Sequence, residues 1–140
     1  MLAVTTQHMC GMGGDLFALV HRPGDAAPEA LNASGRAGSG LDATSLRAAG
    51  HSGIPLRSPA AVTAPGCVDG WLALARRHGS RPLSALLAPA LHLGEAGFPV
   101  SADLAAALER LHELLAGQPS ADELYPQGRP PRPGETLRRP

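Results

Sequence analysis

The chain has 140 residues, enough for one domain with a sizeable core, and its 12 acidic side chains balance 12 basic ones, every one of which is arginine. A formal net charge of zero leaves no electrostatic footprint for nucleic acid or an anionic membrane surface. Aromatic residues make up only 3%, so a core must be built from Leu, Val and Ala, and no apolar run reaches the ~18 residues that a membrane span needs.

The opening stretch, MLAVTTQHMCGMGG, lacks the basic start of a signal peptide and reads as the end of a β-strand entering a loop. Cytoplasmic is then the default compartment, with periplasm or secretion open to a longer N-terminus. In CGMGGDLF, Cys10 to Phe17, three glycines fall within four positions and look like a phosphate-cradling loop. DLFALVHR, Asp15 to Arg22, reads as a strand with apolar residues on both faces, suited to burial between two layers. Pro23-Gly24-Asp25 supplies a turn, and EALNASGRA is the partner strand of a hairpin. The Gly/Ser/Pro-rich piece that follows holds one short helix, DATSLRAAG, capped by Asp42 and ended by Gly50.

From Cys67 the period becomes helical. Trp71, Leu74, Ala75 and His78 share a face, and Gly79 stops that helix. Leu83, Leu86, Leu87, Ala90 and Leu91 form the stripe of a second helix, kinked at Pro89. The third is the clearest: Ser101 caps it, Leu104, Leu108, Leu111 and Leu115 line its buried side, and Gly117 follows its end. Beyond Gly117 the chain reads as turn and extended polar segment, with the Arg-rich GRPPRPGETLRRP as a solvated tail. Strands first and helices later indicate α/β or α+β layers without a repeat.

A dinucleotide loop must open into a helix, whereas these glycines open into a strand and are followed by Asp15, which repels phosphate. A P-loop needs a lysine, and the sequence has none. The glycines therefore serve either close backbone packing or a substrate-facing surface, and packing is the expectation. Ser34, Ser45, Ser52, Thr63 and Cys67 are possible nucleophiles, but none lies in a G-x-S-x-G elbow. The six histidines and two cysteines lack metal-ligand spacing, so no metal, no cofactor and no disulfide framework are indicated, and Cys10 and Cys67 read as buried or half-buried free thiols. Arg36 in NASGRAG is a guanidinium among small residues, which suits bidentate binding of a carboxylate, with an exposed loop arginine as the plain alternative.

The segments HMCGMGGDLFALV, LNASGRAG, PAAVTAPGCVDGWLALARRHG, PLSALLAPALHLGEAGFPVS and YPQGRPPRPGETLRRP resemble the γ-glutamyltransferases (γ-glutamyltranspeptidases, or glutathione hydrolases), in family order over nearly the whole chain. That resemblance implies a partial N-terminal-nucleophile hydrolase sandwich of α/β (α+β) class within the large subunit. It comprises strands and one β-hairpin in 1–37, a helical region in 67–117 and an extended tail in 118–140. It further implies a precursor that cleaves itself, a threonine nucleophile at the start of the small subunit, and transfer of a γ-glutamyl group from an amide such as glutathione to water or an amine. No threonine here occupies the nucleophile's position, so no catalytic residue is assigned and the chain alone is expected to be inactive, with a small-subunit chain as partner.

Members of the family hold the substrate's α-carboxylate with an arginine in a D-F-R-E-x-A-P-like segment. Aligned on Ala37, that arginine's place falls on Ser34, with Arg36 two residues later on the same face of an extended strand. Ser34 and Arg36 are therefore the substrate-binding candidates, for a γ-glutamyl or other carboxylate-bearing small molecule. Gly38 replaces the family's proline, which leaves open a related acylase with another acyl group. A non-enzymatic remnant that binds carboxylates or a full-length relative is the other alternative.

Overall fold

The computed structural model describes residues 1–139, in two compact units: Met12–Gly79, and Met1–Gly11 together with the chain from Ser80 onward.

The first unit is a hairpin with a helix laid on one face. Strands β1 (Leu16–Val20) and β2 (Glu29–Ala33) pair antiparallel, with Leu16 opposite Ala33 and Val20 opposite Glu29. Gly24 at φ 96° closes the connection after Pro23, while Asp25 N–H donates to the Arg22 carbonyl at 3.0 Å. Helix α3 (Cys67–His78) packs on both strands and turns Cys67, Gly70, Trp71, Leu74, Ala75 and His78 inward. The approach is close because Gly70 has no side chain; a Cβ there would lie 2.8 Å from the Ala33 Cβ and 3.0 Å from Leu16 Cδ2. At the other end of the hairpin, Arg22 donates to His78 Nδ1 at 2.7 Å, and Glu29 pairs with Arg77 at 2.9 Å. Helix α2 (Ala43–Ala48) begins at Asp42, whose carboxylate accepts from the Thr44 and Ser45 N–H groups and the Ser45 hydroxyl. Those bonds, the Ser45 hydroxyl's foremost, hold the Asp42 carboxyl below its ordinary range. Gly50 ends the segment at φ 85°.

The expectation that both faces of β1 are buried is corrected. Leu16, Ala18 and Val20 face α3 and are half-buried, whereas Phe17 and Leu19 are 67% and 74% exposed.

The second unit holds the contiguous core: Phe98, Val100, Leu104, Ala105, Leu108, Ala121, Tyr125 and Leu137. Its elements are α1 (Leu2–Thr5), α4 (Leu83–Ala96), β3 (Phe98–Pro99), α5 (Ala102–Leu115), α6 (Ala121–Leu124) and β4 (Thr136–Leu137), with β3 antiparallel to β4. The start of the chain is thus one turn of helix packed beside α4, with Val4 against the core, rather than the expected strand. Four residues are too few for periodicity to separate the two.

Helix α4 is continuous through Pro89, which is exposed, and ends at Gly97 with φ 94°. Its inward side is Leu83, Leu87, Ala90 and Gly94, so Leu86 and Leu91, expected on the buried stripe, are exposed instead. Burial here follows i, i+4, i+7 and i+11, and the small Gly94 marks the close contact, where Arg139 N–H donates to the Gly94 carbonyl at 2.8 Å. Helix α5 matches its expected limits. Ser101 Oγ accepts from Leu104 N–H at 3.1 Å, and Leu104 is fully buried. Tyr125 Oη donates to the Leu108 carbonyl at 2.9 Å, and burial, with Glu109 adding a smaller push, raises the phenol above its ordinary range.

The Arg-rich end is not a solvated tail. Leu137 is 1% exposed in the core, Arg129 holds Glu135 in a fork with bonds of 3.0 and 2.9 Å, and Arg139 reaches Gln7 and Glu123. The long-range contacts of Leu137 and Arg139 turn a polar, proline-rich stretch into the strap over the core; a composition-based reading does not register such contacts. No helix is long and apolar enough to cross a membrane among the described residues.

Candidate functional site

Three segments meet beside the N-terminus of α3: Gly14–Asp15, the stretch 33–37 that leaves β2, and 63–67 that leads into α3. Their junction is made by backbone. The Gly14 carbonyl accepts from both Gly66 N–H (3.1 Å) and Cys67 N–H (2.9 Å), which satisfies the first donors of the helix. With those two donors occupied by protein, fewer N–H groups remain at the helix N-terminus for a phosphate. Thr63 and Ala37 form an antiparallel bridge, and Ala64 N–H donates to the Arg36 carbonyl at 2.9 Å. Asp15 Oδ1 accepts from Gly35 N–H at 2.9 Å and, more loosely, from Thr63 Oγ1 at 3.5 Å.

Two glycines make this junction possible. A Cβ on Gly35 would sit 1.5 Å from the Ala64 carbonyl oxygen, and one on Gly66 would sit 2.1 Å from that of Ala33. Any side chain at either position would force the segments apart. The glycines singled out in the sequence behave differently. Gly11, Gly13 and Gly14 have open space where a Cβ would be and none has positive φ, so the expectation that they serve close packing is corrected. They make an exposed loop with little side-chain bulk, which leads into β1 rather than a helix.

Ser34 and Arg36 both lie on the exposed side of this junction, with Gly35 turned inward between them. Ser34 N–H donates to Asn32 Oδ1 at 2.9 Å, a local turn that leaves the hydroxyl outward. The Arg36 side chain pairs with no carboxylate among the described residues, whose ion pairs use Arg77, His78, Arg129 and Arg139. Its carbonyl is held by Ala64 N–H at 2.9 Å, and the residue is exposed.

The nucleophile candidates separate cleanly. Cys67 is buried at the start of α3; Cys10 is free and exposed, contrary to its expected burial. The Ser45 hydroxyl is committed to Asp42, and Thr63 points to Asp15. Among the described residues none of the serine, threonine or cysteine side chains bonds to a histidine. Sequence reasoning missed Asp15 and Gly35. In the sequence Asp15 stands out only as a repellent of phosphate, and the signal for Gly35 is its place between the two candidates, where only a residue without Cβ fits.

The family model described as gamma-glutamyltranspeptidase matches residues 1–140. The chain belongs to the γ-glutamyltranspeptidase family. It is 41% identical over 136 residues to the glutathione hydrolase-like YwrD proenzyme of Bacillus subtilis, covering 96% of this chain and 26% of the relative. It is 42% identical over 146 residues to the oxamate amidohydrolase proenzyme of Klebsiella pneumoniae, covering 99% and 27%. Among solved structures, the cephalosporin acylase from Bacillus halodurans superposes with a TM-score of 0.88 at 36% identity, covering 98% of this chain and 27% of that one. The mixed helix and small-sheet architecture is thus that of N-terminal-nucleophile hydrolases of the γ-glutamyltranspeptidase and acylase type, and the chain spans about a quarter of the length of the curated relatives it matches.

Proposed function

We propose that these 140 residues form the acyl-recognition part of a γ-glutamyltranspeptidase-like amidohydrolase. Arg36 takes the carboxylate of the acyl group and the Ser34 hydroxyl donates beside it, while the nucleophilic threonine comes from a small-subunit segment that this chain does not contain. The observation that carries the reading is an arginine without an ion-pair partner among the described residues, on a loop locked by the Gly35–Ala64 contact, in a chain of this family. The substrate is then an amide whose acyl group ends in a carboxylate, γ-glutamyl compounds such as glutathione being one case. Attack by the threonine would give an acyl-enzyme, which passes to water or to an amine.

A related acylase with a different acyl group is favoured by one specific feature: Ser34 stands where the family's arginine is expected, with Arg36 displaced by two residues. The test is release of aniline from γ-glutamyl and glutaryl anilides by the purified chain, alone and mixed with a small-subunit chain of a relative. The expected result is no turnover alone and turnover in the mixture. In the mixture, Arg36→Ala should lower kcat/KM about tenfold or more, since a hydrogen-bonded charge pair contributes about 1.5–3 kcal/mol. Clear turnover by the chain alone overturns the need for a separate nucleophile, and an Arg36→Ala variant of full activity overturns the carboxylate assignment.

A further inference from the structure

Asp15 directly follows the open glycines, and its carboxylate is the only side chain among the described residues that bonds to the backbone of the Ser34–Arg36 turn from a distant segment. The bond goes to Gly35 N–H at 2.9 Å, the residue between the two candidates and the one whose missing Cβ allows contact with Ala64. The same Oδ1 lies 3.5 Å from Thr63 Oγ1, opposite Ala37 across the bridge. One carboxylate oxygen thus faces both strands of the ribbon that carries Arg36. The preceding residue, Gly14, uses its carbonyl to hold Gly66 and Cys67, so two consecutive residues tie all three segments together.

We propose that Asp15 is a positioning residue for carboxylate recognition: by accepting from Gly35 N–H it holds the turn in the one geometry that presents Arg36 and Ser34 to the same ligand. The proposal rests on the carboxylate reading of Arg36 given above. Its physical content is preorganisation. A turn whose amide is anchored does not have to be ordered when the ligand arrives, and a hydrogen bond to a charged acceptor is among the stronger ones available to a backbone N–H. The charge itself works the other way, because a carboxylate beside an anion site repels the ligand. Hydrogen bond and charge are therefore separable. Asparagine at position 15 keeps an oxygen acceptor for Gly35 N–H and removes the charge, whereas alanine removes both.

The test is an NMR titration of the ¹⁵N-labelled 140-residue chain with glutarate as probe, on the wild type and on Asp15→Ala, Asp15→Asn and Arg36→Ala, with a thermal melt of each. In the wild type, saturable shifts centred on Gly35 to Ala37 are expected. Asp15→Ala should weaken the apparent Kd about tenfold, the equivalent of losing one charge-assisted hydrogen bond, and speed hydrogen exchange at the Gly35 amide. Asp15→Asn should bind at least as tightly as wild type, because it keeps an oxygen acceptor for Gly35 N–H and removes the charge that repels the ligand. If Asp15→Ala binds like wild type while Arg36→Ala does not bind, the positioning role is overturned. Asp15→Asn as weak as Asp15→Ala overturns it too. If the wild type shows no saturation, or Arg36→Ala binds normally, the carboxylate reading itself fails. Should Asp15→Ala not fold, Asp15→Asn and the Gly35 exchange rate decide: unchanged exchange in Asp15→Asn with intact binding supports the role, and loss of binding there overturns it.

Discussion

The two units solve the folding problem by different means. The unit containing α4 and α5 is organised by side chains: eight buried residues from β3, α5, α6, β4 and the segments flanking them form one cluster, with Leu104 at its centre. In the hairpin unit only Cys67 and Gly70 are buried, and large apolar side chains such as Phe17, Leu19, Leu56 and Val62 are exposed. What holds the candidate site there is backbone against backbone, at glycines where no side chain fits. The contrast teaches where tolerance lies. A side-chain core degrades in proportion to the volume removed, whereas a backbone junction fails when anything is added.

The largest effect should come from Leu104→Ala in the side-chain core. Complete burial makes a loss of about 3 kcal/mol the expected outcome in chemical denaturation. Next comes Gly35→Ala, a change that adds one methyl group where the Ala64 oxygen already sits. A loss of about 1–3 kcal/mol is expected, together with disappearance of the glutarate response at Gly35 to Ala37. If Gly35→Ala were silent while Leu104→Ala was costly, the backbone account of the junction would be wrong.

A smaller, pH-dependent effect belongs to the strap over the core. The Arg129 guanidinium, helped by Arg132 N–H, pulls Glu135 from its ordinary 4.5 to about 2. A depressed folded value means that Glu135 contributes stability fully present above about pH 4.5 and lost as pH falls toward 2. The melting temperature of wild type should therefore drop over that interval more steeply than that of Glu135→Gln, measured by circular dichroism at matched ionic strength. Equal slopes would show that the fork is not formed in solution. The smallest effect on stability is expected on the open sheet face: Phe17→Ser and Leu19→Ser should each stay within about 0.5 kcal/mol of wild type. The same changes should reduce self-association by light scattering, because that face presents apolar surface to any second copy.

Much of the local structure was legible residue by residue. Ser101 followed by Asp103 and a leucine stripe specified α5, Asp42 and Gly50 bracketed α2, and Pro23-Gly24 set the hairpin turn. Of the candidate site, a short motif points to Ser34 and Arg36, which lie on one exposed side, but nothing local links them to Asp15, which lies 20 residues before Gly35. The glycine signal pointed to the wrong glycines. Gly11, Gly13 and Gly14 stand out because they cluster, yet the hairpin unit's close contacts fall at Gly35, Gly66 and Gly70, scattered singly.

By itself the sequence determined what depends on near neighbours: the helical period after Cys67, the caps, the turn, and motifs distinctive enough to name the γ-glutamyltranspeptidase family. Tertiary structure alone decided what depends on distant partners. It made the first residues a turn of helix against the core, drew Leu137 and Arg139 into packing and ion pairs, left Phe17 and Leu19 bare, and placed the Asp15 carboxylate on the turn that carries Arg36. The physical reason is common to all four: periodicity and capping act over a few residues, whereas burial and backbone closure are settled only when segments far apart in the chain meet.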